Sequence, residues 1–143
     1  MSSLEHWQQI WASRQASDVS WYEPAASTSL NQILASGVGR ERPVIDVGGG
    51  ASTLVDGLLD AGFDDITVID VAEEGMAQAR HRLGAAAAAV HWQRADVTEL
   101  ALGRRFSLWH DRAVFHFLTG ARERVAYKAA LLSHLADDGQ VVL

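Results

Sequence analysis

The 143-residue chain contains no cysteine, which excludes disulfides and thiolate zinc sites. Its only prolines, Pro24 and Pro43, read as element boundaries. No apolar run approaches the roughly 20 residues of a membrane-spanning helix. Met1 to His6 carries neither the basic region nor the apolar block of a signal peptide. A cytoplasmic protein with no membrane partner is therefore the expectation. Positive charge is scarce, since 12 Lys and Arg face 18 Asp and Glu, for a formal net charge of −6. Nucleic acids and anionic surfaces are held by clustered Lys and Arg, so neither is expected as a partner. His6, His81, His91 and His134 show no ligand spacing, and no metal is expected. Internal repeats are absent, and Ala85 to Ala89 is the one low-complexity patch. What the chain does have is 48% hydrophobic and 21% charged residues, enough to build one buried core and too apolar for disorder.

The pattern changes at Pro43. Before it, Ser2 and Glu5 form a capping-box pattern around Leu4, Trp7, Ile10 and Trp11, which repeat at helical spacing. Trp7 and Trp11 read as packing. Residues 18–24 break the period and read as a loop. Ser27 or Thr28 can cap a second helix through Leu30, Ile33 and Leu34, ended by Gly37. After Pro43, strands are expected at 44–47, 66–70, 90–93, 106–110 and 140–143. Helices are expected from Ser52 or Thr53 to Gly62, from Glu73 to Leu83 and from Gly120 to Ala136. The last helix is expected to turn Val125, Ala129, Leu132 and Leu135 inward, with Asp137-Asp138-Gly139 as a turn behind it. Strands alternating with helices imply right-handed crossovers and an α/β, doubly wound, mainly parallel open sheet. Residues 1–42 then read as a helical cap or lid and 43–143 as the core of a single domain.

Ligands of such sheets bind outside the carboxyl ends of the strands. That rule directs attention to Asp46, Gly48, Gly49 and Gly50, then to Asp70, Asp96 and His110. A glycine-rich turn between strand and helix lets backbone approach a ligand closely. A dinucleotide site wants Gly or Ala three positions after its second glycine. Counted from Gly50, that position is Thr53, which is branched and bulky. A nicotinamide-dependent oxidoreductase is thus the lesser alternative. Each residue also has a plain structural reading. The turn can be tight without a ligand, Asp70 and Asp96 can cap the segments after them, and Arg112 can pair with Asp111.

Asp46, Gly48 and Gly50 together resemble the first motif of class I S-adenosylmethionine-dependent methyltransferases, with Ser52 where the family usually has a third glycine. The run Val68-Ile69-Asp70-Val71-Ala72-Glu73-Glu74-Gly75-Met76 resembles the second. The run Leu108-Trp109-His110-Asp111-Arg112-Ala113-Val114-Phe115-His116-Phe117-Leu118-Thr119 is similar to a signature of a small bacterial branch. The resemblance runs from Pro43 to Leu143, and less specifically through His6-Trp7 and Ser20 to Glu23. It implies S-adenosylmethionine as cofactor and S-adenosylhomocysteine as product. Cofactor contacts are then expected from Asp46, Gly48, Gly49, Gly50, Asp70, Val71, Asp96, Val97 and His110. Asp70 would take the ribose hydroxyls, and Asp96 the adenine amino group. His110 and Asp111 would stand at the reacting methyl, His110 as a base and Asp111 orienting it or meeting a cationic substrate. Trp21, Tyr22 and Arg112 would serve the substrate or a lid, the two aromatics by cation–π attraction or as a packing plug. His116 reads as packing. The acceptor is a small molecule or a protein, with oxygen, nitrogen, sulfur and carbon nucleophiles all open. The family's sheet usually has seven strands, so the chain reads as shortened after the fifth, and a cofactor-binding but catalytically incomplete domain is the alternative reading. The edge of that strand is then a candidate for pairing with another copy.

Overall fold

The computed structural model describes residues 27–143. The expected first helix and the aromatics Trp21 and Tyr22 lie outside the described residues. Five strands form one parallel sheet: β1 (Val44–Val47), β2 (Ile66–Asp70), β3 (Val90–Arg94), β4 (Phe106–Asp111) and β5 (Leu135–Val142), in the order β3-β2-β1-β4-β5. The helices are α1 (Ser27–Ala35), α2 (Leu54–Asp60), α3 (Glu73–Leu83) and α4 (Ala121–His134). The expected doubly wound α/β sheet is therefore the observed one. β1, β2 and β4 are buried at every position, as central strands covered on both faces must be. β3 and β5 are edges among the described residues and are largely exposed.

Alternation along each strand sorts side chains into two layers. Val44, Ile66, Val68 and Leu108 pack under Ile33 of α1, Leu54 and Leu58 of α2 and Met76 of α3. Ile45, Val47, Ile69 and Trp109 pack on the other face against Val97, Leu118, Tyr127 and Ala130. Each buried aliphatic side chain contributes roughly 1.5–3 kcal/mol, so both layers are needed to hold the strand tips in place.

Two expectations are corrected. α4 faces the sheet with Tyr127, Ala130 and His134, while Val125 is 70% and Leu132 59% exposed. Counting apolar residues chose the wrong side because the buried side is chosen by polar bonds. Tyr127 bonds Asp111 and Trp109, and His134 accepts the Leu102 N–H at 3.0 Å and reaches the Ala130 carbonyl at 2.7 Å. The chain also enters β5 straight from α4. The expected turn at Asp137-Asp138-Gly139 lies inside that strand, where the register slips between Phe106–Leu135 and Leu108–Gln140. Arg42 holds the irregularity by bridging Asp138 at 2.9 Å.

Candidate functional site

The site is built where β1, β2 and β3 end. After Val47 the chain turns through Gly48, at φ 72°, and Gly50, at φ 43°. The N–H groups of Gly48 and Gly49 both donate to the Ile69 carbonyl, at 2.8 and 3.2 Å, tying the turn to β2. A side chain at Gly48 would meet both a left-handed backbone and the Val114 methyl that rests on it. On the other flank, α3 approaches the turn through Gly75, where a β-carbon would sit 3.1 Å from the Ala51 nitrogen and the Gly50 α-carbon.

Beside this turn opens a cleft lined by Val47, Gly48, Ile69, Asp70, Val71, Ala95, Asp96, Val97, Val114 and Leu118. Its walls are apolar and two carboxylates stand among them.

Asp70, the last residue of β2, is buried and accepts the Ala72 N–H at 2.9 Å. Burial pushes its carboxyl up to about 7. Asp46 adds to that rise, while the amides of Ala72, Val71 and Gly50 oppose it. Asp96 caps the 3-10 turn Val97–Glu99, and its Oδ1 accepts both the N–H and the hydroxyl of Thr98, at 2.9 and 2.7 Å. Oδ2 accepts no hydrogen bond among the described residues, so capping and cleft-lining share one carboxylate.

Asp46 and His110 face each other across β1 and β4, in direct register. Asp46 Oδ1 and His110 Nδ1 are 2.8 Å apart, and both residues are buried. Neither lines the cleft. Asp111 points to the opposite face of the sheet, as the next residue on a strand must. It therefore does not orient His110; Asp46 does. Asp111 instead accepts the Ala113 and Val114 N–H groups on Oδ1, at 3.0 and 2.8 Å. Its Oδ2 accepts the Phe115 N–H at 3.1 Å and the Tyr127 hydroxyl at 2.5 Å. Burial raises Asp111, and these four donors counter the rise.

A family model described as a methyltransferase domain matches residues 44–139, the stretch that carries every element of this site. The chain belongs to that family. Solved structures of similar shape include the glycopeptide N-methyltransferase MtfA complexed with S-adenosyl-L-homocysteine. It is 19% identical at a TM-score of 0.71, over 84% of this chain and 52% of that one. The DhpI-SAM-HEP complex is 19% identical at a TM-score of 0.71, over 96% of this chain and 61% of that one. SAM-bound CalS10, an amino pentose methyltransferase from Micromonospora echinaspora, is 26% identical at a TM-score of 0.65, over 91% of this chain and 52% of that one. The chain spans about half the length of the first of these structures. No curated protein matches the sequence.

Within this methyltransferase domain, Gly48, Asp70, Val71, Asp96 and Val97 come together in the cleft as a group. Asp46, Gly49 and Gly50 are buried behind it, with His110 beneath Asp46. Arg112 and His116 are exposed on the segment after β4, so His116 is not the packed residue expected. The sequence reading missed Val47, Ile69, Ala95, Val114 and Leu118 as cleft residues. Val114 and Leu118 carried a readable signal, an apolar pair four residues apart just beyond a strand tip. Among the described residues no helix is long and apolar enough to cross a membrane, and no cluster of three metal-ligating side chains occurs.

Proposed function

We propose that this methyltransferase domain binds S-adenosylmethionine in the cleft beyond β1–β3 and transfers its methyl group to a small-molecule nucleophile. The observation that carries the reading is Asp70, a buried carboxylate opening into an apolar cleft beside a glycine turn with no room for side chains. The fit is chemical. Vicinal ribose hydroxyls are donors that can add to the backbone amides already on this carboxylate, and the apolar walls formed by Val71, Val97, Val114 and Leu118 suit a flat ring. Asp96 Oδ2 and the Val97 N–H are the groups for the ring's polar edge. The exposed backbone at Gly48, backed by the buried Gly49 and Gly50, is the cradle for the amino-acid end. Known enzymes of similar fold support a small-molecule acceptor, since MtfA acts on a glycopeptide and CalS10 on an amino pentose.

The cofactor's sulfonium supplies an electrophilic methyl carbon and leaves as S-adenosylhomocysteine. What falls to the chain is alignment, which in well-ordered sites is worth up to roughly 7–11 kcal/mol. Asp46 fixes the His110 ring with its proton on Nδ1. Nε2 accepts no hydrogen bond among the described residues, so it is the nitrogen able to take an acceptor's proton. His110 is the proposed base and Asp46 its orienting partner. Calorimetric titration with S-adenosylhomocysteine and with NAD tests the binding. Saturable S-adenosylhomocysteine binding is expected; NAD binding with no response to S-adenosylhomocysteine would overturn the proposal. Methyl transfer from labelled cofactor into fractionated extract, with His110→Ala losing turnover but not S-adenosylhomocysteine affinity, tests the chemistry.

A further inference from the structure

We infer that Asp111 and Tyr127 are positioning residues that set the width of the cleft by locking the segment after β4. The inference rests on the proposed cofactor reading and deepens it. Asp111 ends β4, yet its carboxylate reaches neither the cleft nor His110. Both oxygens are spent instead, on the N–H groups of Ala113, Val114 and Phe115 and on the Tyr127 hydroxyl. Tyr127 in turn accepts the Trp109 indole N–H at 2.9 Å and packs edge-on to that ring, with centroids 5.8 Å apart. Phe115 closes on the Tyr127 ring at 5.1 Å. β4, α4 and the intervening segment are thus joined at one buried carboxylate.

That segment is one wall of the cleft. Val114 and Leu118 face it, and Val114 also rests on Gly48. Moving the segment by an ångström therefore changes both the gap to Val71 and Val97 and the cover over the glycine turn. Stability alone does not explain the choice of residue. A buried carboxylate is costly to desolvate, and well-packed apolar side chains of similar volume would hold α4 at least as firmly. What a carboxylate adds is direction, because three backbone N–H groups converge on it and fix the course of residues 113–115.

The experiment compares Tyr127→Phe, Asp111→Asn and Val114→Ala with the parent chain, with Leu132→Gln on the exposed side of α4 as control. Each variant is titrated with S-adenosylhomocysteine at a temperature where circular dichroism shows it folded. Amide hydrogen exchange is followed at Ala113, Val114 and Phe115. Tyr127→Phe is expected to weaken binding about 5- to 20-fold, and Asp111→Asn by at least as much. Both should speed exchange at those three amides. Val114→Ala should weaken binding without altering exchange, and the control should change neither. Folded Tyr127→Phe binding within about twofold of the parent overturns the inference, as does faster exchange with unchanged affinity. If Asp111→Asn does not fold, Tyr127→Phe decides. If the parent itself fails to bind S-adenosylhomocysteine, the proposed function falls, and exchange at Val114 still reports on the lock.

Discussion

Asp70 and Asp111 occupy equivalent places in this sheet. Each is the last residue of a strand that flanks β1, each is buried, and burial raises the carboxyl of both. They differ in what surrounds the oxygens. Asp111 meets four donors from its own chain, the Tyr127 hydroxyl among them, whereas Asp70 is met by backbone amides alone, chiefly Ala72 at 2.9 Å with Val71 and Gly50 adding less, and lines a cleft. One tip is closed on itself and shapes its neighbours, while the other keeps capacity for a partner from outside. Similar position and similar burial thus give different chemistry, and the hydrogen-bond inventory decides which.

The contrast can be broken most sharply at Asp70. Asp70→Ala is expected to weaken S-adenosylhomocysteine binding by about 1.5–3 kcal/mol, the scale of hydrogen bonds to a charged group. Unchanged affinity in calorimetry would remove Asp70 from the site. Next is Gly48, whose backbone joins the two tips through Val114. Gly48→Ala is expected to lose about 1–2 kcal/mol of stability for the left-handed backbone alone, read by chemical denaturation, and to crowd Val114.

The pH dependence sharpens the comparison further. Folded Asp70 holds its proton up to about 7, against 3.8 for the free side chain. The folded state therefore binds more protons than the unfolded chain between those values, and this group makes stability fall as pH rises across that window. Ribose hydroxyls donate to the ionised form, so affinity moves the other way. S-adenosylhomocysteine should bind about tenfold more weakly at pH 6 than at pH 8, and Asp70→Asn should flatten the profile. Burial causes most of this rise and Asp46 adds a smaller part, so Asp46→Asn should shift the midpoint slightly downward. The smallest effect belongs to the outer side of α4. Leu132→Gln is expected to stay within about 0.5 kcal/mol of the parent in stability, and a larger loss would mean that this face is covered.

The central strands and α3 were legible from the sequence because their signals are local. β-branched runs at 44–47 and 66–70 and the helical spacing from Glu73 to Leu83 agree with the structure to the residue. Of the residues the strand-tip rule singles out, Gly48, Asp70 and Asp96 line one cleft, while Asp46 and His110 lie behind it. What was not legible depends on pairing between distant segments. The Asp46–His110 bond follows from β1 lying beside β4, a matter of strand order that spacing does not encode. The orientation of α4 depends on Tyr127 finding Asp111, so an apolar stripe through Val125 and Leu132 misleads. Val114 and Leu118 stand out as an apolar pair, but the bend by which Asp111 carries them to the cleft is made by side-chain acceptors and is invisible to periodicity.

The bond between Asp46 and His110 also bears on how the chain reaches its native state. Its partners are 64 residues apart, so β1 and β2 can associate early while the β1 carboxylate still lacks its imidazole. Burying that group alone is costly, and closing so long a loop is slow. A ribosome-bound chain ending before residue 110 should therefore leave β1 accessible to protease, with protection arriving in one step once β4 has emerged.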